Sequence, residues 1–273
     1  MNILSWLLAA LLAGALGVFL VKSLSAHPLG MSLFLALSLT ALFLLLLLIA
    51  ARFRGWNLAA AAVLALVSFL AGYLVMTRIL LTQEDPRPMP QLTREPGDPG
   101  RGHTAVVYFT HGEPRTYHPI GWINQFQEFD EQGIEFIPWM ARPFFFHALR
   151  NKYLQVGASG HREMHRQMIG SLEARFRAEG DHSTRFYLSF LDDNPRPDAA
   201  AIQALNEGAS KLIVSEVFLT ISNHTAEGET QIKELEIEQT FGVPVEFTGP
   251  LYDSVPLKRM FLERANASLD GTE

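Results

Sequence analysis

The first 82 residues of this 273-residue chain carry only four charged side chains, which are Lys22, Arg52, Arg54 and Arg78. Three apolar runs, at residues 3–21, 31–51 and 58–81, fill most of this segment. Each run is close to the roughly 20 residues that an α-helix needs to cross the core of a bilayer. No basic residue precedes the first run and two more runs follow it, which is not the pattern of a cleaved signal peptide. Residues 1–82 are therefore predicted to form three transmembrane helices in a lipid bilayer.

The basic residues that flank these runs predict an orientation in the bilayer. Four of them would lie on one side and two on the other, namely Lys22, Arg78, Arg87 and Arg94 against Arg52 and Arg54. Because basic residues concentrate on the cytoplasmic side, the chain after the third run is expected at the cytoplasmic face of an integral membrane protein. The three runs hold no acidic residue, which favours anchoring or packing against other membrane subunits over transport.

Residues 83–102 differ in composition from the chain on either side. They contain five prolines and three glycines. Proline removes a backbone donor and fixes φ, so a regular helix or a central strand cannot form in such a stretch. The segment is predicted to be a semi-extended spacer between the membrane region and residues 103–273.

Beyond the spacer, segments typical of strands alternate with segments typical of helices. Runs of β-branched and aromatic residues predict strands at residues 104–110, 134–139, 184–190, 211–219 and 243–247. Apolar residues at helical spacing and helix-start signals predict helices at residues 121–131, 143–152, 160–179, 197–207, 226–239 and 256–267. Such alternation is typical of right-handed βαβ units with a parallel sheet covered on both faces. Residues 103–273 are therefore predicted to be a three-layer α/β domain, with ligands bound beyond the carboxyl ends of the strands.

Two histidines lie where that rule expects a binding site. His111 follows the first predicted strand, and His224 follows the fourth, with Glu227 and Glu229 close behind. Imidazole and carboxylate groups suit divalent Fe, Co, Ni or Zn, and a neutral imidazole accepts a proton near pH 7. The alternative is that each histidine caps a helix or lines a loop.

Another pair of histidines, His161 and His165, lies four residues apart on a predicted helix. That spacing can bind zinc, but the sequence between them does not make the His-Glu-x-x-His motif. Met168 and Leu172 continue the same stripe. The stripe favours a packed or half-exposed helix face over a metal site.

The order of several segments resembles the class II tetrapyrrole chelatases, the family of ferrochelatase and the small single-repeat cobaltochelatases of sirohydrochlorin metabolism. The His-Gly-Ser start of the cobaltochelatases is similar to residues 106–114 (VVYFTHGEP). Their later strand, with its loop histidine and acidic helix start, is similar to residues 211–235 (KLIVSEVFLTISNHTAEGETQIKEL). The intervening strand resembles residues 187–199 (YLSFLDDNPRPDA), and a further ferrochelatase segment resembles residues 153–172 (YLQVGASGHREMHRQMIGSL). The resemblance covers nearly all of residues 104–266.

This resemblance implies a reaction and a set of site residues. The reaction is insertion of a divalent metal, Fe²⁺ or Co²⁺, into a tetrapyrrole, and it needs no cofactor beyond the substrate metal. His111 and His224 fall on the two metal-handling histidines of the single-repeat cobaltochelatases, and Glu227 or Glu229 would feed the ion to them. A single repeat also implies a homodimer that completes the cleft.

The chain departs from the chelatase pattern at three places. Glu113 replaces the serine after His-Gly and is a further candidate site residue, Glu216 replaces a proline, and Gly160 replaces the proline of a Gly-Gly-x-Ser-Pro segment. These changes leave open an alternative function. The chain would then be a non-catalytic chelatase-like subunit, or a tetrapyrrole-binding assembly factor, of a membrane protein complex.

Composition excludes two other classes of function. The formal net charge is -6, whereas binding to nucleic acid phosphates needs a basic surface. The chain contains no cysteine, so neither a disulfide framework nor a thiolate metal site can form.

Overall fold

A computed structural model describes residues 2–84, 88–131, 133–134 and 136–269, apart from the side chain of Glu128. The chain divides into two compact units. One unit combines Met1–Asp85 with Thr116–Ala158, and the other combines Pro86–Arg115 with Ser159–Glu273. The division therefore differs from the predicted boundary at residues 102 and 103, because residues 116–158 fold with the N-terminal helices.

All regular elements in the described residues of the first unit are helices. Its elements are α1 (Ile3–Ser25), α2 (Pro28–Arg52), α3 (Trp56–Leu81), α4 (Pro119–Glu131), a 3₁₀ turn (Trp139–Ala141) and α5 (Arg142–Val156). Helices α1, α2 and α3 are each long and apolar enough to cross a membrane. They lie where the sequence predicts the three spans.

Helices α1 and α3 pack through glycines. A Cβ atom added to Gly72 would lie 2.2 Å from the carbonyl oxygen of Gly14, and one added to Gly17 would lie 2.3 Å from the carbonyl oxygen of Phe69. Backbones approach this closely only where side chains are absent, which is the usual way in which membrane helices associate.

The end of α1 is capped by residues from the later part of the same unit. Arg150 of α5 is buried, and its Nη1 donates to the carbonyl oxygens of Ser23 at 2.8 Å and Ala26 at 3.0 Å. The hydroxyl of Tyr117 donates to the carbonyl of Ser25 at 2.8 Å. The last carbonyls of a helix have no partner within the helix, so these contacts supply the missing donors.

The strand predicted at residues 134–139 is wrong for the residues that the structure describes there. Residue 135 lies outside the described part, and Ile134 and residues 136–138 form a turn that leads into the 3₁₀ turn. The apolar side chains of this run do not enter the sheet: Ile137 packs against the core of this unit, whereas Phe136 is exposed, with its ring 6.0 Å from that of Phe129.

The second unit contains a parallel sheet of four strands. These are β1 (His103–Thr110), β2 (Arg185–Phe190), β3 (Ala209–Glu216) and β4 (Val245–Phe247), in the order β2-β1-β3-β4. The helices of this unit are α6 (His161–Ala178), α7 (Pro197–Asn206), α8 (Asn223–Lys233), α9 (Ile237–Phe241) and α10 (Val255–Leu269). A parallel sheet with helices is thus confirmed.

Alternate residues of the central strand β1 contact different helices. Val107 and Phe109 belong to a core cluster that includes Ala204 of α7 and Ile232 of α8. The hydroxyl of Tyr108, between them, lies 3.0 Å from Nδ1 of His165 in α6. Since successive side chains of a strand point to opposite faces, α6 and the α7–α8 pair cover different faces of β1.

The helix predicted at residues 226–239 is two helices. Helix α8 ends at Lys233, and Glu236 adopts a left-handed backbone conformation with φ of 47° before α9 begins. A left-handed residue cannot continue a right-handed helix, so the chain turns there. The turn lets both Ile232 and Ile237 point into the core.

The predicted spacer is attached to the second unit over part of its length. Asp85, Pro86 and Arg87 lie outside the described residues. Further along, the buried Arg94 donates through Nη1 to the carbonyl oxygen of Ala209 at 2.6 Å, and the backbone N–H of Thr93 donates to Oδ1 of Asn206 at 2.8 Å. The later spacer residues are therefore held against β3 and α7.

Candidate functional site

The structure brings His111 and His224 together. His111 directly follows β1, and His224 lies in the first turn of α8, after β3. Because β1 and β3 are adjacent parallel strands, their carboxyl ends meet at one edge of the sheet. The two rings lie 5.0 Å apart between centroids and meet edge to face, at 70°.

An aspartate lies beside the first of these rings. Nδ1 of His111 lies 2.9 Å from Oδ2 of Asp192 and 3.1 Å from the carbonyl oxygen of Gly112. Both neighbours are acceptors, so in the neutral ring Nδ1 carries the proton and Nε2 carries the lone pair. Asp192 was missed in the sequence analysis. It follows β2, which is the other neighbour of β1, and only the strand order shows that the two loops meet.

Glu113 is held at the start of α6. Its Oε2 accepts a hydrogen bond from Oγ of Ser159 at 2.5 Å, and the same Oγ accepts one from the backbone N–H of His161 at 3.2 Å. Glu113 therefore supplies a carboxylate that is fixed beside a helix N-terminus, where a negative charge is favourable.

The two predicted glutamates of α8 are engaged along that helix. Glu227 accepts a hydrogen bond from Nε2 of Gln231 at 3.0 Å, and Glu229 forms an ion pair with Lys233. Across the described part of the chain, no three His, Asp or Glu side chains form a group that could hold a metal ion. The four predicted metal ligands are therefore not assembled as one set, and only His111 and His224 contact each other.

A buried carboxyl lies at the end of β3. Glu216 is fully buried beneath α8, and its burial raises the pKa of its carboxyl to about 7. The negative charge of Glu229 raises the pKa further, whereas the positive charge of Lys233 opposes the rise. The side chain of Glu216 therefore points into the protein.

The second histidine pair forms a chain of polar contacts rather than a simple packing surface. His165 is only 6% exposed, its Nδ1 lies 3.0 Å from the Tyr108 hydroxyl, and its Nε2 lies 3.3 Å from Nε2 of His161. Burial lowers the pKa of both imidazoles and raises the pKa of Tyr108 to about 12. The predicted packed helix face is accurate for the burial of His165, but it missed these contacts.

The loop after β2 is clamped by an arginine of α6. Arg162 donates to the carboxylate of Asp193 and to the carbonyl oxygen of Asn194, and its guanidinium lies 5.1 Å from the centre of the Phe190 ring. This clamp fixes the loop that carries Asp192. The carboxyl edge of the sheet thus holds two histidine pairs with carboxylates at defined positions.

A cavity of about 620 Å³ lies along the edge strand β2, between α6 and α7. It is lined in part by four arginines, namely Arg162, Arg166, Arg177 and Arg185. Acidic side chains accompany them: Arg177 lies 3.6 Å from Glu173, and Arg185 lies 3.7 Å from Glu207. None of the four site histidines lines this cavity, and its balanced charge does not select a ligand.

No protein-family model matches the chain, and no match is found among curated proteins. The functional argument therefore depends on the residues and their geometry.

Proposed function

We propose that the chain is a membrane-anchored chelatase-like protein that inserts a divalent metal, Fe²⁺ or Co²⁺, into a tetrapyrrole. One observation carries the proposal: His111 and His224 meet at the carboxyl ends of two adjacent parallel strands, 5.0 Å apart between ring centroids. This is the edge at which parallel α/β proteins bind their ligands. The chelatase-like, three-layer arrangement expected from the sequence is part of the same proposal.

The chemistry follows from the orientation of the rings. Insertion of a divalent metal displaces the two pyrrole N–H protons of the macrocycle, and bases must accept them. With Nδ1 of His111 held between Asp192 and Gly112, the lone pair of Nε2 is the acceptor, or the ligand that presents the metal. His224 supplies the second imidazole. Binding energy spent on distorting the ring exposes the nitrogen lone pairs and aids the reaction.

Membrane attachment fits a substrate of this kind. Tetrapyrroles such as protoporphyrin are hydrophobic, and three helices able to cross a bilayer would anchor the chain in a membrane, into which such molecules partition. Within the same proposal, the site faces the cytoplasm and a homodimer or membrane-complex subunits complete the cleft. The chain lacks cysteine, so His182→Cys creates a single exposed thiol whose reaction with an impermeant maleimide in intact cells reports the side.

The test uses the full chain in detergent, since part of the polypeptide between β1 and α6 folds with the membrane helices. Protoporphyrin or sirohydrochlorin is mixed with Fe²⁺ or Co²⁺, and metal insertion is followed by absorbance. His111→Ala and His224→Ala should each lower the rate at least about 100-fold, the usual contribution of a positioned acid or base. His182→Ala is the matched control and should keep the full rate, because His182 is exposed and away from the pair.

The other outcomes distinguish the alternatives. Tetrapyrrole binding without conversion, together with co-purification of membrane proteins, would identify the non-catalytic subunit or assembly factor. Conversion that survives both histidine substitutions would place the chemistry elsewhere in the protein. If neither macrocycle binds, the proposal fails.

A further inference from the structure

His161 and His165 bring two ring nitrogens to the spacing of metal ligands. They lie on one face of α6, and their Nε2 atoms are 3.3 Å apart. In a tetrahedral zinc site with Zn–N bonds of about 2.05 Å, two ligand nitrogens are about 3.3 Å apart. The distance between the two Nε2 atoms therefore matches this geometry.

The partners of His165 suit the tautomer that binds a metal through Nε2. In that tautomer Nδ1 carries the proton and donates to the hydroxyl oxygen of Tyr108, which lies 3.0 Å away. The Tyr108 hydroxyl can then donate to Sδ of Met168, at 3.7 Å. The lone pair of Nε2 is left on the side of the ring that faces His161. A hydrogen bond from the non-ligating nitrogen is the usual support for a metal-binding histidine.

The surroundings of His161 also favour a cation. The carboxylates of Glu113 and Asp193 are close enough to act on this ring and favour positive charge there, while burial keeps both rings neutral, the form that binds metal.

We propose that His161 and His165 form a second metal site, in which the two Nε2 atoms bind one divalent transition metal such as Zn²⁺ or Co²⁺. The remaining coordination positions are open to water or to an anionic group of a bound molecule. Imidazole ligands with nearby carboxylates select these metals over Mg²⁺ or Ca²⁺. Both proposed ligands lie on α6, and the proposal does not require the function proposed for His111 and His224.

The test measures Co²⁺ binding to the full chain in detergent that carries His111→Ala and His224→Ala, so that the first pair cannot contribute. The ligand-field absorption of tetrahedral Co²⁺ reports binding, and Zn²⁺ competition gives the affinity of the preferred ion. His161→Gln and His165→Gln should each weaken binding at least about tenfold. His182→Gln, at an exposed position in the same unit, should leave the affinity unchanged.

A second variant addresses the supporting contact. Tyr108→Phe keeps the packed ring but removes the oxygen that accepts the Nδ1–H of His165, so Co²⁺ should bind about tenfold more weakly and not be lost. Because His165 is buried, circular dichroism checks that each variant is folded, and the half-buried His161 gives a second, milder substitution. Absence of Co²⁺ binding in the starting variant, or binding unaffected by either glutamine substitution, overturns the proposal.

Discussion

Replacing Glu216 by glutamine removes the one ionisable group that the structure buries completely at the end of β3. The side chain keeps its size, so the change isolates the cost of charge. The carboxyl has a pKa of about 7 in the folded protein, against an ordinary value of 4.5. Between these two pH values the unfolded chain releases the proton and the folded chain retains it. The stability of the native chain therefore falls as pH rises from about 4.5 to about 7 and is constant above that.

The size of the effect follows from the same shift. A difference of about 2.5 pH units corresponds to about 3 kcal/mol at 1.36 kcal/mol per unit. Amide hydrogen exchange in β3, measured by mass spectrometry and corrected for the intrinsic rate, should lose roughly a few hundredfold in protection between pH 4.5 and pH 7.5. With Glu216→Gln, most of this pH dependence should disappear, and protection at pH 7.5 should exceed that of the native chain.

A control variant and two outcomes test this account of Glu216. The control, Glu234→Gln, replaces an exposed glutamate just after α8 and should keep the pH dependence of the native chain. If protection of β3 is independent of pH in the native chain, ionisation of the Glu216 carboxyl does not lower the free energy of unfolding, which contradicts the effect of burial on its pKa. If the dependence persists unchanged in Glu216→Gln, another group is responsible.

Three further changes test individual contacts. Gly72→Val should lower the thermal unfolding midpoint of the full chain in detergent, because even a Cβ atom would lie 2.2 Å from the carbonyl oxygen of Gly14. Tryptophan fluorescence of the first unit reports the midpoint, and an unchanged value would contradict the close approach of α1 and α3. Gly228→Ala places a Cβ atom 2.2 Å from a phenylalanine ring of β1 and should lower the free energy of unfolding by about 1–3 kcal/mol. Denaturant unfolding followed by circular dichroism measures this loss. Gly170→Ala is the control and should not lower the free energy of unfolding, because the space around Gly170 is open. Asp192→Asn removes the carboxylate beside the first imidazole and should weaken Co²⁺ binding by that pair about tenfold, measured by titration in a chain without the second pair; unaltered affinity would show that the carboxylate does not orient the ring.

Local sequence predicted the elements whose pattern and tertiary role agree. The apolar runs of α1, α2 and α3 coincide with helices long and apolar enough to cross a membrane. The core strands β1 and β3 were also located, because they bury the apolar side chains that their pattern predicts to be buried. Residues 134–139 have a similar apolar content, but the described residues among them form no strand, and Ile137 and Trp139 pack against the helical core of the first unit. A short apolar run does not by itself distinguish a strand from a connecting segment, since either can place apolar side chains in a core.

The sequence could predict residues of the candidate site only where they follow predicted strands. His111 and His224 follow strands, so their meeting depends on a single assumption, that β1 and β3 are neighbours. Asp192 needs a second fact, that β2 lies on the other side of β1. The raised pKa of Glu216 needs a third, that α8 covers the end of its strand. Each added fact is a long-range contact that no local pattern records.

The alternation of the two units along the chain determines how the protein can be shortened. Residues 116–158 belong to the helical unit, although the chain before and after them belongs to the sheet-containing unit. The two residues that flank this segment are hydrogen-bonded to each other, since the N–H of Ser159 donates to the carbonyl oxygen of Arg115 at 2.9 Å. A truncation before β1 would remove the helix end that Tyr117 and Arg150 cap and would leave residues 116–158 without it. A short turn that joins Arg115 directly to Ser159 would instead delete residues 116–158 as a whole. Residues 116–158 thus have the character of an insertion, whose removal would leave the order of the strands in the sheet unchanged.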